Sequence, residues 1–354
     1  FQEEQASGAS MELGQQAQPP PPLFQSEHHL LADMRYLSEI RGNLSEIEAN
    51  LPSACEILEG DGGSKLYLVG TAHFSEQSCQ DVRDVIRQVK PHRVILELCQ
   101  TRTGILTLDE DTLRAQVADT GLESVRRNAR SLGWSGAIMH YLMGRLSACI
   151  MDQIGLLPGG EFRAAVDEAR GLPFCEILLK DRSIRITIQR TLSKLSLYGK
   201  LRLAYCLLFS MEAITKEQIE MFKDKDLLEQ LLAELGETFP ELREVIVDER
   251  DRYMAYQFRS LCKPLFPGVP SINVAVVGFG HKTGIRSYWP AAADPSILGD
   301  CMTVPVAPLS ERLFLRTAKY TLIGSTLFLL YLTGRLTYRR ILLPLATGIR
   351  AMLL

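Results

Sequence analysis

The 354-residue chain, 46% hydrophobic and 23% charged, is long enough for one large core or two modest ones. Its net charge of -3 provides no basic field over the whole surface, which excludes general nucleic-acid binding. The charge is uneven, however: from Arg312 to the end there are seven basic residues and no acidic one, leaving -10 on the remainder.

Residues 1 to 27 are rich in Gln, Gly and Pro, include the run Pro19 to Pro22, and read as a disordered arm suited to a protein partner. They have neither the basic start nor the apolar centre of a secretory signal. Eight cysteines without C-x-x-C spacing read as reduced thiols in a cytosol-facing protein. A short helix is expected between Leu30 and Glu48, with ragged apolar periodicity, and Asp61-Gly62-Gly63 then makes a turn.

Leu66 to Val69 reads as a strand that runs through Gly70 to His73. Ser75 or Ser78 caps a following helix with Val82, Val85, Ile86 and Val89 on one face, which Pro91 stops. Arg93 to Cys99 is a second strand carrying Glu97. Strand, helix and strand at this spacing predict a βαβ unit with parallel pairing of the two strands.

Residues 108 to 157 read as helical, with Ile138, Leu142, Leu146, Ile150 and Ile154 in one apolar stripe. Gly159-Gly160 opens a helix through Arg170, and Phe174 to Lys180 is a third strand. A helix from Ile188 to Met211 sets Arg190, Lys194, Lys200 and Arg202 beside a broad apolar face, either a solvated basic surface or a membrane contact. Lys225 to Leu235 is a further helix. Pro240 starts another, on which Leu242, Val245, Ile246, Tyr253 and Tyr256 share a face with Glu249. A carboxylate there is either a structural ion pair or a site residue.

Ile272 to Val277 is the last strand, apolar enough to be buried on both sides, and His281 follows it. Beyond Pro308 the chain turns apolar and basic. The uncharged run Tyr320 to Gly334 is shorter than the ~20 residues a bilayer requires. It reaches that length only if extended upstream, with Arg316 and Lys319 reaching back to the interface.

His73, Glu97 and His281 are all expected at the C-terminal ends of parallel strands, the edge where ligands bind in open α/β sheets. Two imidazoles and a carboxylate match the ligand set of a catalytic divalent ion, which would acidify a bound water and polarise a carbonyl. Glu161 and Arg163, at a glycine turn opening a helix, are candidates for binding an anion or stabilising developing negative charge. Arg102, Asp181 and Arg182 follow strand ends and are candidates of the same kind.

Six segments, Gly70-Thr-Ala-His73-Phe-Ser75, Glu97-Leu-Cys-Gln-Thr-Arg102, Gly159-Gly160-Glu161-Phe-Arg163, Asp181-Arg182, Asp248-Glu249-Arg250-Asp251 and Gly278-Phe-Gly-His281, resemble the TraB/PrgY family in its eukaryotic TraB-domain branch. The resemblance spans about residues 60 to 310. It implies a largely parallel α/β sheet with many flanking helices, as in the erythromycin esterase and ChaN folds, and a relationship to the Tiki metal-dependent proteases. It also implies that His73, Glu97 and His281 form the active centre with a further Arg or Asn, a role carried to Arg163. Related bacterial proteins limit peptide pheromone activity, and plant relatives with a C-terminal anchor sit on the mitochondrial outer membrane.

The expectation is therefore a disordered or weakly helical arm over 1–52, a TraB domain over 53–310, and a C-terminal hydrophobic helix within a membrane anchor over 311–354. The domain would face the cytosol at the mitochondrial outer membrane. His73, Glu97 and His281 would hold Zn, Mn or Co, Arg163 or Arg102 would stabilise an oxyanion, and Glu249 or Glu161 would act as general base on a peptide or small-molecule substrate. The competing expectation is a non-catalytic organiser or tether at that membrane.

Overall fold

The computed structural model describes residues 43–72, 75–107, 122–154, 159–209 and 236–305, together with scattered helical positions between 313 and 335. Five strands form one mixed sheet: β1 (Cys55–Glu59), β2 (Lys65–Thr71), β3 (Arg93–Leu96), β4 (Glu176–Leu179) and β5 (Ile272–Gly278). Their order is β1-β2-β5-β3-β4, with β1 antiparallel to β2 and every other pairing parallel.

This is the expected α/β class, with two differences. β1 is an antiparallel edge strand whose two glutamates interrupt its apolar run, so its sequence carries little strand signal. β2 and β3 are parallel but do not pair with each other, because β5 lies between them. All seven residues of β5 are buried, and a strand apolar on both faces gains most at the sheet centre.

Helices cover both faces. Helix α1 (Glu76–Val89), whose Ser75 cap accepts the Ser78 N–H at 3.3 Å, lines one face. Helix α2 (Leu122–Ile154) crosses to a side cluster, and α3 (Gly160–Arg170) packs beside α1. Val82, Val85, Ile86, Phe162, Ala165 and Val166 meet Tyr67, Val69, Val94, Leu96, Val274 and Val276 on that face.

Helices α4 (Ile184–Lys194) and α5 (Leu197–Phe209) join α2 in a separate apolar cluster of Met139, Leu142, Ile188, Leu192, Leu195 and Leu203. The second sheet face is covered by α6 (Glu249–Leu261), α7 (Phe279–Tyr288) and α8 (Ser296–Met302). There Tyr253, Met254, Phe258, Ile285 and Ile297 pack on Leu66, Leu68, Ile95, Ala275 and Val277. Alternate residues of each strand thus serve opposite layers.

Three helices depart from their expected form. The single helix over Ile188 to Met211 is two, because buried Leu195 adopts an extended backbone and Ser196 Oγ accepts the Gly199 N–H at 3.1 Å, restarting the helix as α5. Gly133 interrupts α2 with φ 72° and ψ 168°, and Ile138 of the expected apolar stripe is exposed whereas Leu142 is buried. Pro240 does start a helix, but a π-helical turn at Glu244–Asp248 precedes α6. Glu249, expected to share an apolar face, has its carboxylate paired with Arg182, Arg190 and Lys194.

The short helix Leu44–Ala49 covers the end of the one expected from Leu30, and the helix at Lys225 to Leu235 lies outside the described residues. Most of 311–354 also lies outside them. No helix among the described residues is long and apolar enough to cross a membrane.

Candidate functional site

Four adjacent parallel strands bring their C-terminal ends to one edge, and three of those ends carry charged or titratable groups within the described residues. Glu97 follows β3, Asp181 follows β4, and His281 stands in the first turn of α7 just after β5. The fourth, β2, ends towards His73, which lies outside the described residues. Its register is nevertheless defined: Gly70 pairs with Val277 and Thr71 with Gly278, and Thr71 Oγ1 donates to Val277 O at 3.1 Å. The two glycine-histidine segments therefore leave neighbouring strands at the same level.

The glycines of those segments do different work. A side chain at Gly70 would meet Lys282 Cδ at 3.1 Å and Phe279 Cδ2 at 3.3 Å, so its absence lets the start of α7 settle against β2. Gly278 caps α7 and donates its backbone N–H to Glu97 Oε2 at 2.7 Å. The first motif supplies space and the second supplies a hydrogen bond.

Glu97 and His281 are brought together, with Glu97 Oε1 3.2 Å from His281 Nε2. The other imidazole nitrogen, Nδ1, lies 2.5 Å from Asp251 Oδ1. Burial opposes a charge on this ring, but Glu97 and Asp251 outweigh it and raise the His281 pKa to about 9. Burial likewise raises the Asp251 carboxyl, against the pull of His281.

Arg250, the residue before Asp251 on α6, closes the cluster. Its Nε and Nη2 each donate to Asp181 at 3.0 Å, Nη2 also reaches Glu97 Oε1, and Nη1 lies 3.0 Å from His281 Nε2. Burial disfavours its charge, yet Asp181 and Glu97 more than compensate and its pKa is raised. Arg102 joins from the rim, donating from Nη2 to Asp181 Oδ2 at 2.8 Å with its side chain 38% exposed.

Arg163 and Glu249 have partners of their own. Arg163 donates to Ile105 O at 3.1 Å, so the guanidinium beside Glu97 and His281 is Arg250. Buried Glu161 is close enough to Cys79 to push that thiol upward, second to burial itself. Glu249 accepts from Arg182 Nη1 at 2.8 Å and from Arg190 Nε at 2.7 Å, with Lys194 at 3.1 Å. Burial raises its pKa, but these three cations dominate and hold it at about 2, which makes it a poor proton acceptor near neutrality. Its ion-pair alternative is the one the structure shows.

Arg250 and Asp251 were visible only as part of a charged run, Asp248 to Asp251. The signal for them is the placement of two charges one turn before Met254 and Ala255, both at 0% exposure, which obliges those charges to find buried partners.

The donors present can be compared with a divalent centre. Two ligands bound at ~2.0 to 2.1 Å in tetrahedral geometry stand ~3.4 Å apart, close to the Glu97 to His281 separation, and a carboxylate on the remote imidazole nitrogen is the usual support for a metal-binding histidine. Among the described residues, no group of three or more His, Cys, Asp or Glu side chains forms a metal cluster, and Arg250 stands beside both donors.

A family model for the TraB/PrgY/gumN family matches residues 57–293, which include Glu97, Asp181, Arg250, Asp251 and His281. A human TraB domain-containing protein is 38% identical over 344 residues, covering 93% of this chain and 91% of its own length. A bovine TraB domain-containing protein is 40% identical over 296 residues, with 81% and 78% covered. An uncharacterized protein of Methanocaldococcus jannaschii is 32% identical over 241 residues, covering 66% of this chain and 55% of its own. The chain belongs to the TraB/PrgY/gumN family.

Proposed function

We propose that the protein is a hydrolase of peptide-like substrates whose centre is formed by Glu97 and His281, with His73 as the third member. The observation that carries this reading is the pairing of Glu97 Oε1 and His281 Nε2 at 3.2 Å, with Asp251 on the far imidazole nitrogen. This pair would hold a divalent ion, Zn, Mn or Co, which supplies carbonyl polarisation and a more acidic water.

The surrounding residues have separate tasks. Asp251 orients the His281 ring, and the Gly278 N–H fixes the Glu97 carboxylate. Arg250 offsets the negative charge of Glu97 and Asp181, while the half-exposed Arg102 presents a cation towards a substrate oxygen. Glu161 is the remaining candidate general base. The domain would be held on the cytosolic side of the mitochondrial outer membrane by the basic, acid-free segment from Arg312 onward.

One observation favours a second reading, a non-catalytic organiser at that membrane. Arg250 already satisfies Glu97 and Asp181 and abuts His281, as expected for a structural ion cluster. Metal analysis of the purified full chain after exposure to Zn, Mn or Co distinguishes the two. The hydrolase reading expects stoichiometric metal that is lost in His73→Ala plus His281→Ala. Metal-free protein after all three exposures leaves the organiser. Membrane recovery of a reporter fused to residues 311–354 tests the location, which a soluble reporter would overturn.

A further inference from the structure

Arg250 makes two sets of contacts. One set lies off the Glu97 and His281 pair: Nε and Nη2 each donate to Asp181 at 3.0 Å, and Nη1 donates to Ile246 O at 3.3 Å, in the π-helical turn before α6. The other set falls on the pair itself, where Nη2 reaches Glu97 Oε1 and Nη1 lies 3.0 Å from His281 Nε2. One guanidinium thus touches both atoms assigned to a divalent ion.

Those two atoms differ in what they can share. A carboxylate oxygen has more than one lone pair, so Glu97 can serve an arginine and an ion together. A neutral imidazole has a single acceptor nitrogen. The Asp251 carboxylate takes the hydrogen of Nδ1, which leaves one lone pair at Nε2, and the Arg250 N–H at 3.0 Å is directed to it. An ion bound at about 2.0 to 2.1 Å needs that same lone pair. When the ring carries a hydrogen on both nitrogens, Nε2 faces Glu97 at 3.2 Å and has no lone pair for any ligand. In both forms Arg250 keeps a positive charge 3.0 Å from the atom that an ion must reach.

The arginine also has an anchor away from the pair. The Asp181 side chain is 2% exposed and binds two nitrogens of Arg250, so it retains the guanidinium when the contacts to Glu97 and His281 are released.

We propose that Arg250 is a resident cation that competes with the divalent ion for His281 Nε2: the site is closed while the arginine stays, and it loads metal as the arginine withdraws onto Asp181. The inference rests on the hydrolase reading for the ion itself, and it makes the ion cluster of the second reading the closed state of the same site.

The test measures zinc affinity of the full chain by competition with a chelating dye, at one pH and salt concentration, in Arg250→Lys and Arg250→Ala. Both are expected to bind zinc about tenfold to a hundredfold more tightly than the unsubstituted chain, the range for one hydrogen bond to a charged group. Lysine keeps the charge, but its single ammonium cannot span Asp181 and His281 as the guanidinium fork does. Millimolar guanidinium should return Arg250→Ala to the unsubstituted affinity. Circular dichroism checks the fold of each variant. In the unsubstituted chain with labelled arginine, zinc should move an arginine side-chain resonance, which tests the proposal if the variants do not fold.

Equal or weaker zinc binding by both variants would overturn the competition and leave the hydrolase reading standing. An effect in Arg250→Ala alone would also overturn it, since charge without contact would then suffice, and so would zinc-bound chain with every arginine resonance unmoved. Zinc bound by the variants but not by the unsubstituted chain would support the competition while the hydrolase reading fails. Zinc bound by none of the three would overturn both.

Discussion

Asp251 Oδ1 lies 2.5 Å from His281 Nδ1, joining helix α6 to helix α7 at the edge where the parallel strands end. The contact ties the orientation of the imidazole to a helix that contributes no strand to the sheet. In the hydrolase reading, Asp251→Asn removes the carboxylate that supports this ring while preserving its shape. Metal affinity, measured by competition with a chelating dye, should fall about tenfold to a hundredfold. Unchanged affinity would detach Asp251 from any metal role.

Gly284 makes the close approach of those helices possible. A β-carbon there would stand 1.9 Å from Asp251 Oδ2 and 2.6 Å from its Cγ, and Asp251 is buried with little room to retreat. Gly284→Ala should lower the free energy of unfolding by about 1 to 3 kcal/mol, through overpacking. Urea denaturation measures this, and an unchanged midpoint would show that α6 and α7 can separate without loss.

Arg182 anchors the neighbouring cluster from a fully buried position. It donates to Glu249, to the carbonyls of Val245 and Cys301, and from Nε to Thr187 Oγ1. Arg182→Ala leaves the two carbonyls short of a donor and Glu249 with less compensation. A destabilisation of about 3 to 5 kcal/mol is expected in chemical denaturation, and a loss below about 1 kcal/mol would contradict the assigned role.

The same cluster gives stability a dependence on acid. The Glu249 carboxyl is held at about 2, below its ordinary 4.5, because the cations outweigh burial. A depressed folded-state pKa contributes stability that is present above the unfolded value and lost as pH falls from about 4.5 towards 2. Thermal unfolding at stepped pH should show this loss in the native chain and a smaller one in Glu249→Gln. Equal slopes in the two proteins would remove Glu249 as the source.

Much of the edge is legible in the sequence. The apolar runs at Leu66 to Val69, Arg93 to Leu96 and Ile272 to Val277 determine strands, and Gly70, Glu97 and Gly278 to His281 follow them too closely to lie elsewhere than at strand ends. The alternation within those runs also determines that helices must cover both faces.

Partner choice required the tertiary structure. Local periodicity does not reveal that β5 separates β2 from β3, because that order depends on which strand gains most from central burial. Nor does spacing show that Glu249 pairs with Arg182 and Arg190 while Arg250 and Asp251 reach Glu97, Asp181 and His281. A buried charge takes whichever opposite charge the packed helices bring within reach, and that distance is a property of packing, not of separation along the chain.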